Sequence, residues 1–352
     1  MIGIGFAMSS TSLVIVVIFA ALLFDYINGF RHAPNSIANV VSTRMLRPRF
    51  AVFWAAFFNF VAFAILGTGV AKAIGEGVNI HLIAPDLRLY VLLAGIIGAT
   101  LWSLTTWYLG LPTSSSHALM GGYAGGAIAA YGDISGLLRP EVYVKTVIFI
   151  IASPLIAMTL GFSMMVVGFW MFQERLPSRV DKYFRRGQLL SAAAYSLGHG
   201  SNDAQKTMGV ITVALVAGGF ITSGPDGRLL GIPLWVVLAA HAAIALGTLV
   251  GSWRLVHTMG YKITKQPFGG FCAETSGALT LFGATLAGIP VSTTHTITGA
   301  IVGVNATRRF SPVRWGMAQR ILWGWALTIP MAGAFAALFF FATSAIHKII
   351  KG

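Results

Sequence analysis

The chain has 352 residues, of which 56% are hydrophobic and only 10% charged, and its mean hydropathy is +0.77. A soluble domain carries about 25% charged residues, so the composition excludes a chain solvated on all sides and points to a membrane protein. The single cysteine, Cys272, excludes an internal disulfide framework and a thiolate metal cluster. The net charge of +14 sits in short intervals between apolar segments: Arg44, Arg47 and Arg49; Arg175, Arg179, Lys182, Arg185 and Arg186; Arg254, Lys262 and Lys265; Arg308, Arg309, Arg314 and Arg320. Short basic loops of this kind mark the cytoplasmic side of a membrane protein, so the charge reports topology and no nucleic-acid partner.

A membrane span needs about 20 apolar residues. The N-terminal stretch lacks the basic start and small-residue cleavage site of a signal peptide, and is expected to be a retained first span. In chain order, single spans fit near 11–42, 50–71, 145–172, 188–221, 232–251 and 318–345, with the first and fourth interrupted by polar residues. Residues 89–132 and 275–307 contain no Asp, Glu, Lys or Arg, and the second stretch is short for two full spans. Each is broken by a Gly-x-Pro turn, in GLPTSSSHALMGG from Gly110 and GIPVSTTHTITGA from Gly288. Two helical hairpins are expected, with tips in the membrane or near one face.

The hairpins are copies of each other. Gly110 aligns with Gly288, Pro112 with Pro290, Ser114 with Ser292, His117 with His295, Gly121 with Gly299 and Gly125 with Gly303. A weaker pair lies upstream, NGFRHAPNSIANVV from Asn28 and HGSNDAQKTMGVIT from His199, in which His32 faces Asp203. The spacing predicts two repeats, 1–172 and 188–352, joined by a basic cytoplasmic linker at 173–187. The loop after the first upstream copy is basic and the one after the second is not, while the loops after the hairpins show the reverse. The repeats are therefore expected to be inverted, each an odd number of crossings with an interrupted helix and a hairpin bearing a Ser/Thr-rich tip. This is an all-α polytopic arrangement of the kind that places a transport site at the repeat interface.

A helix N-terminus exposes free N–H groups and the positive end of the helix dipole, and Pro and Ser or Thr suit its first positions. Thr113, Ser114, Ser115, Ser116 and His117, with Ser292, Thr293, Thr294 and His295, thus put amides, hydroxyls and imidazoles at two helix starts, a setting suited to a tetrahedral oxyanion. The bland alternative is that these hydroxyls only cap their helices. Asp203 and Lys206 lie within one span, and Arg31 and His32 within another. Ionisable groups at membrane depth are expensive and mark function by default. Asp203 can take a proton or a cation, and Lys206 can pair with it or meet the anion. No P-loop, nucleophile elbow or metal-ligand spacing is present, so neither an enzyme nor a cofactor or metal centre is expected.

HGSNDAQKTMG, GLPTSSSHALMGG, PVSTTHTITGAIVG and the late WALTIP (Trp325 to Pro330) resemble the inorganic phosphate transporter family of short bacterial type, over about Phe24 to Pro330. The resemblance implies a homodimeric secondary transporter in the cytoplasmic membrane that couples phosphate uptake to protons or sodium ions. It also implies that Asn35, Asn202, Asp203 and the hydroxyls of both tips line the site. The family's first motif reads His-Asp-x-Ala-Asn, whereas here it is Arg31-His32-Ala33-Pro34-Asn35, and Ser103 follows Trp102 where the family often has Asn. An imidazole is a poor sodium ligand but exchanges a proton near neutral pH, so His32 and Asp203 are expected to couple transport to protons. Another oxyanion such as sulfate, an anion channel and a non-transporting sensor are the competing expectations.

Overall fold

The computed structural model describes residues 9–65, 67–224, 228–251, 267–307 and 315–351. Among these residues the fold is helical apart from one isolated bridge between Val78 and Leu138. The first half contains α1 (Ser10–Ser42), α2 (Pro48–Val61), the short α3 (Gly69–Gly75), α4 (Arg88–Tyr108), α5 (Ser115–Tyr131) and α6 (Pro140–Phe172). The second contains α7 (Pro177–Ala217), α8 (Leu234–Val250), α9 (Pro267–Leu286), α10 (Thr293–Ala306) and α11 (Trp315–Lys351). Pairs α4–α5 and α9–α10 are the two expected hairpins. The basic stretches at 254–265 and 308–314 and the acidic Asp226 lie outside the described residues.

Local chemistry accounts for most boundaries. Proline at the first helical position starts α2, α6 and α7, where its missing N–H is no loss. Ser9, Ser114 and Ser292 cap α1, α5 and α10 through their side-chain oxygens. Both hairpins turn through a left-handed glycine, Gly110 and Gly288, each at φ 67°. Pro34 and Pro154 lie inside α1 and α6 and Pro330 inside α11, as neighbouring membrane helices permit. α1, α4, α6 and the Trp323–Ala345 part of α11 are each long and apolar enough to cross a membrane.

Three expectations change. The segments read as interrupted, 11–42 and 188–221, are continuous in backbone: α1 runs through Arg31 to Asn35, and α7 through Asn202 to Lys206. Their polar residues find partners on neighbouring elements, so no break is needed to satisfy them. The span expected at 50–71 is bent, with Pro48–Ala64 and Gly69–Gly75 meeting at 83°. The N-terminus of α3 is held by Gln205 Oε1, which accepts from Val70 N at 2.9 Å and Ala71 N at 3.2 Å. Finally, most of the expected linker is helix, because α7 begins at Pro177 and carries Arg179, Lys182, Arg185 and Arg186 on its first turns.

The halves interlock. α6 packs on α10, the arm of the other half's hairpin, and α11 packs on α4 and α5. α1 likewise packs on α8, and α7 on α2 and α3. Contacts at repeat-equivalent positions are equally close: a Cβ on Gly125 would lie 2.4 Å from Gly333 Cα, and one on Gly303 would lie 2.0 Å from Met158 O. One apolar core gathers α1, α3, α4, α5, α7, α8 and α11, and a second gathers α6, α7, α9 and α10.

Two groups of loops come together. Arg185 Nη2 donates to Thr43 O at 3.4 Å and Arg44 O at 3.5 Å, joining the basic stretches after α1 and at the start of α7. Elsewhere Arg139 Nη1 lies 3.9 Å from Glu76 Oε2, Asn79 N donates to Leu137 O, and Leu229 N donates to Glu76 Oε1 at 3.0 Å. Those contacts join the loops at 76–83, 132–139 and 228–233.

Candidate functional site

The two hairpin tips meet at α1 and α7, around the fully buried Asp203. Ser115 Oγ and Thr293 Oγ1, equivalent positions of the two tips, each lie 3.5 Å from Asp203 Oδ2. Asn28 Nδ2 donates to the same oxygen at 3.1 Å. His199 Nε2 approaches it to 3.3 Å and His32 Nδ1 to 3.5 Å. The other carboxylate oxygen, Oδ1, is paired with Lys206 Nζ one helical turn on. Asn28 and His199 are themselves equivalent in the upstream repeat, so α1 and α7 each deliver one further side chain to the carboxylate.

Each expected residue can now be placed. Thr113 Oγ1 accepts from Arg31 Nη2 at 2.9 Å and shares a hydrogen bond with Thr106 Oγ1 at 2.8 Å. Ser114 and Ser292 serve as caps, accepting from His117 N at 3.3 Å and His295 N at 3.2 Å, so for these two the capping alternative describes what the hydroxyl does. Ser116 Oγ donates to Val291 O at 2.7 Å, which ties one tip to the other. Thr294 Oγ1 accepts from Asn35 Nδ2 at 3.0 Å.

Asn202 braces the second tip: its Nδ2 donates to Thr285 Oγ1 and Ile289 O, and its Oδ1 accepts from Val291 N. Its repeat-equivalent, Arg31, braces the first tip through Thr113. His117 and His295 form a pair to one side, with ring centroids 5.2 Å apart, and His295 stacks on Trp325 at 3.7 Å. Both imidazoles are buried, and neither makes a side-chain hydrogen bond among the described residues.

Sequence reasoning missed several members of this network. Asn28 and His199 stood at the heads of the two aligned upstream motifs, and the pairing of His32 with Asp203 in that alignment was the available signal. Asn59 lies in an apolar run, Phe57 to Phe60, that gives no sign of a site residue. It is fully buried, bonding His199 Nδ1 at 3.1 Å and Thr248 Oγ1 at 3.0 Å while Phe57 and Phe60 face outward. Asp25, also fully buried, sits beside Thr207 in the field of Asp203 and Lys206. Glu274 is also fully buried, accepting from Ser191 Oγ at 2.6 Å with Asn39 and Gln188 alongside.

This geometry can hold an anion. Hydroxyls, an asparagine amide, two helix N-termini, Lys206 and Arg31 supply donors and positive charge in one buried place, where Lys206 is paired with the Asp203 carboxylate.

Comparison with known proteins agrees with that chemistry. The sequence profile of the Phosphate transporter family matches residues 28–336. A Rhizobium meliloti (strain 1021) protein described as "Probable low-affinity inorganic phosphate transporter" is 50% identical over 340 residues, covering 95% of this chain and 97% of its own. A Bacillus subtilis (strain 168) protein of the same description is 42% identical over 335 residues, covering 95% and 98%. A solved structure titled "The sodium-dependent phosphate transporter" shares the fold, with a TM-score of 0.84 at 23% identity over 95% of this chain and 99% of that one. From its hairpin motifs to its overall fold, this chain belongs to the phosphate transporter family.

Proposed function

We propose that the protein is a secondary active transporter that carries inorganic phosphate across the cytoplasmic membrane in symport with protons, and that it works as a homodimer. What carries the proposal is the convergence of the two tips, with Ser115 and Thr293 each 3.5 Å from Asp203. Phosphate binds among the hydroxyls of Ser115, Ser116, Thr293 and Thr294, with Asn35 donating and Lys206 and Arg31 offsetting its charge. Ser114, Ser292 and Asn202 hold the tips in shape. Asp203 accepts the proton that monovalent or divalent phosphate still carries, which discriminates against a fully deprotonated oxyanion. His32 stands 3.5 Å from Asp203 and exchanges the coupling proton with that carboxylate.

In this proposal the repeats are inverted. The loops joined through Arg185 are cytoplasmic, which the positive-inside rule favours, and those joined through Glu76 and Arg139 face outward. The α4–α5 hairpin then opens to one side and α9–α10 to the other, with the tips meeting between them. Rocking of the interlocked halves would expose the site alternately, as in other inverted-repeat transporters.

The test is uptake of radiolabelled phosphate into liposomes holding the purified protein, with arsenate and sulfate as competitors. Arsenate, which shares the tetrahedral shape and the titratable proton, should compete well and sulfate weakly. A stronger block by sulfate would overturn the assignment of substrate. Light scattering on the purified protein checks the dimer.

A further inference from the structure

Asp25 on α1 is fully buried, and neither of its carboxyl oxygens makes a hydrogen bond among the described residues. Asp203 is ringed by donors and Glu274 accepts from Ser191, so the other buried acids are provided for. An ionised carboxylate at membrane depth is expensive, and an unpaired one marks function by default.

The groups around Asp25 leave it without a counter-ion. Asp203 and Lys206, both on α7, are the charges in whose field it lies, and Lys206 Nζ is already paired with Asp203 Oδ1. Thr207 stands beside Asp25 and brings a hydroxyl without charge. α4 carries no charged side chain after Arg88, and α8 offers only His241, whose Nδ1 meets Val237 O at 2.9 Å. On the remaining neighbours of α1, Arg49 lies at the loop end of α2, Glu274 of α9 is bonded to Ser191, and His295 of α10 stacks on Trp325. Arg31 and His32, further along α1 itself, are directed to Thr106 and Thr113 and to Asp203. Asp25 and Asp203 thus share one ammonium. With Asp203 holding it, Asp25 avoids a bare negative charge only as the protonated acid.

Position along α1 gives that proton a direction. Asp25 lies one turn before Asn28 and about 10 Å before His32 along the helix axis. α1 ends at the loop that Arg185 joins to α7, which is cytoplasmic in the proposed topology. Asp25 therefore stands on the outer side of Asp203, and His32 on the inner side.

We propose that Asp25 is the outer proton-loading residue of this transporter, a carboxylic acid that receives a proton from outside and passes it to Asp203 through Lys206. Lys206 gives one ammonium proton to Asp203 Oδ1, so an N–H bond breaks and an O–H bond forms. The amine then takes the proton of Asp25, which is left as a carboxylate in the field of the restored ammonium. The total charge is unchanged, and Asp25 is ready for the next proton. Asp25 makes no hydrogen bond to either hairpin tip, so its part is separate from holding the anion. The inference rests on proton symport as the mode of coupling.

Two experiments on the full-length protein test it. In detergent, the wild type is treated with dicyclohexylcarbodiimide, an apolar reagent that adds to protonated carboxyl groups, and the modified residues are mapped by mass spectrometry. Modification at Asp25 and none at Asp203 is expected. In liposomes, Asp25→Asn imitates the protonated acid. It should retain exchange of radiolabelled phosphate at equal pH on both sides and lose accumulation under an inward proton gradient, while Asp25→Glu keeps both. Thermal unfolding shows that the variants are folded, and the carbodiimide map decides should Asp25→Asn fail to fold. Modification of Asp203 with Asp25 untouched would overturn the inference. So would an Asp25→Asn variant that accumulates phosphate as the wild type does, or a folded one that loses exchange along with accumulation. A wild type without proton-driven accumulation would instead overturn the symport reading, and the carbodiimide map would still report the proton on Asp25.

Discussion

At the scale of single residues, the site separates side chains that hold the tips from side chains that face the buried carboxylate. Ser114 and Ser292 bond the amides of His117 and His295, and loss of a cap costs about 1 kcal/mol. Ser114→Ala and Ser292→Ala should therefore lower thermal stability by about that amount, measured by unfolding of the purified protein, while phosphate affinity changes little. Ser115→Ala and Thr293→Val should do the opposite, leaving stability near wild type and reducing affinity tenfold or more, since a hydrogen bond to a charged ligand contributes about 1.5–3 kcal/mol. His32 offers a different test. His32→Asp replaces an imidazole with a hard oxygen ligand beside Asp203, so uptake should gain a response to sodium and lose the wild-type pH profile. Unchanged profiles in both respects would make His32 a spacer next to Pro34.

How much of the site was legible follows from the same residues. The tips announced themselves because hydroxyls, proline and glycine occurred twice in one order. Asp203, His32 and Lys206 stood out because charge is rare in so apolar a chain. Asn59 was not legible: its neighbours Phe57, Phe58 and Phe60 read as lipid- or core-facing bulk, and only the packing of α2 on α7 turns the amide toward His199. Nor could the division of labour among neighbouring hydroxyls be read, because Ser114 and Ser115 differ only in which side of the first helical turn they occupy.

Among the elements, the hairpins were the most predictable and the polar helices the least. A Gly-x-Pro turn between two charge-free apolar runs has few other solutions, and α4–α5 and α9–α10 follow it closely. The interruptions expected in α1 and α7 do not occur, because polar residues inside a buried helix need partners, and the hairpin tips provide them. The start of α7 was also hidden, since its first turns are charged and lack the apolar signal of a span. Packing between these elements depends on close backbone approach at Gly125 and Gly303. Gly303→Leu should force α10 from α6, costing about 1–3 kcal/mol or more, and should reduce the yield of monodisperse protein in size-exclusion chromatography. Gly283→Ala on α9, with nothing within 4 Å of the added Cβ, should behave as wild type.

For the whole molecule, the sequence division at 172 and 188 does not describe two bodies in space, because each half covers the other's hairpin. Such interlocking ties the repeats together, so that a change of orientation must involve both. Inverted topology has a direct check, helped by the fact that the native Cys272 is buried. Single cysteines at Arg44 and Ser178 should react with a membrane-impermeant maleimide from the cytoplasmic side only, and one at Asp133 from the outer side only. Labelling of all three from one side would contradict the inverted arrangement while leaving the fold intact.

The central claim is that this fold moves phosphate with protons, and one measurement addresses it most directly. Purified protein in liposomes is given radiolabelled phosphate under an inward proton gradient without sodium, and separately under an inward sodium gradient at equal pH. The account predicts accumulation driven by the proton gradient, little response to sodium, and loss of accumulation in Asp203→Asn. Accumulation that follows sodium and ignores the proton gradient would contradict it.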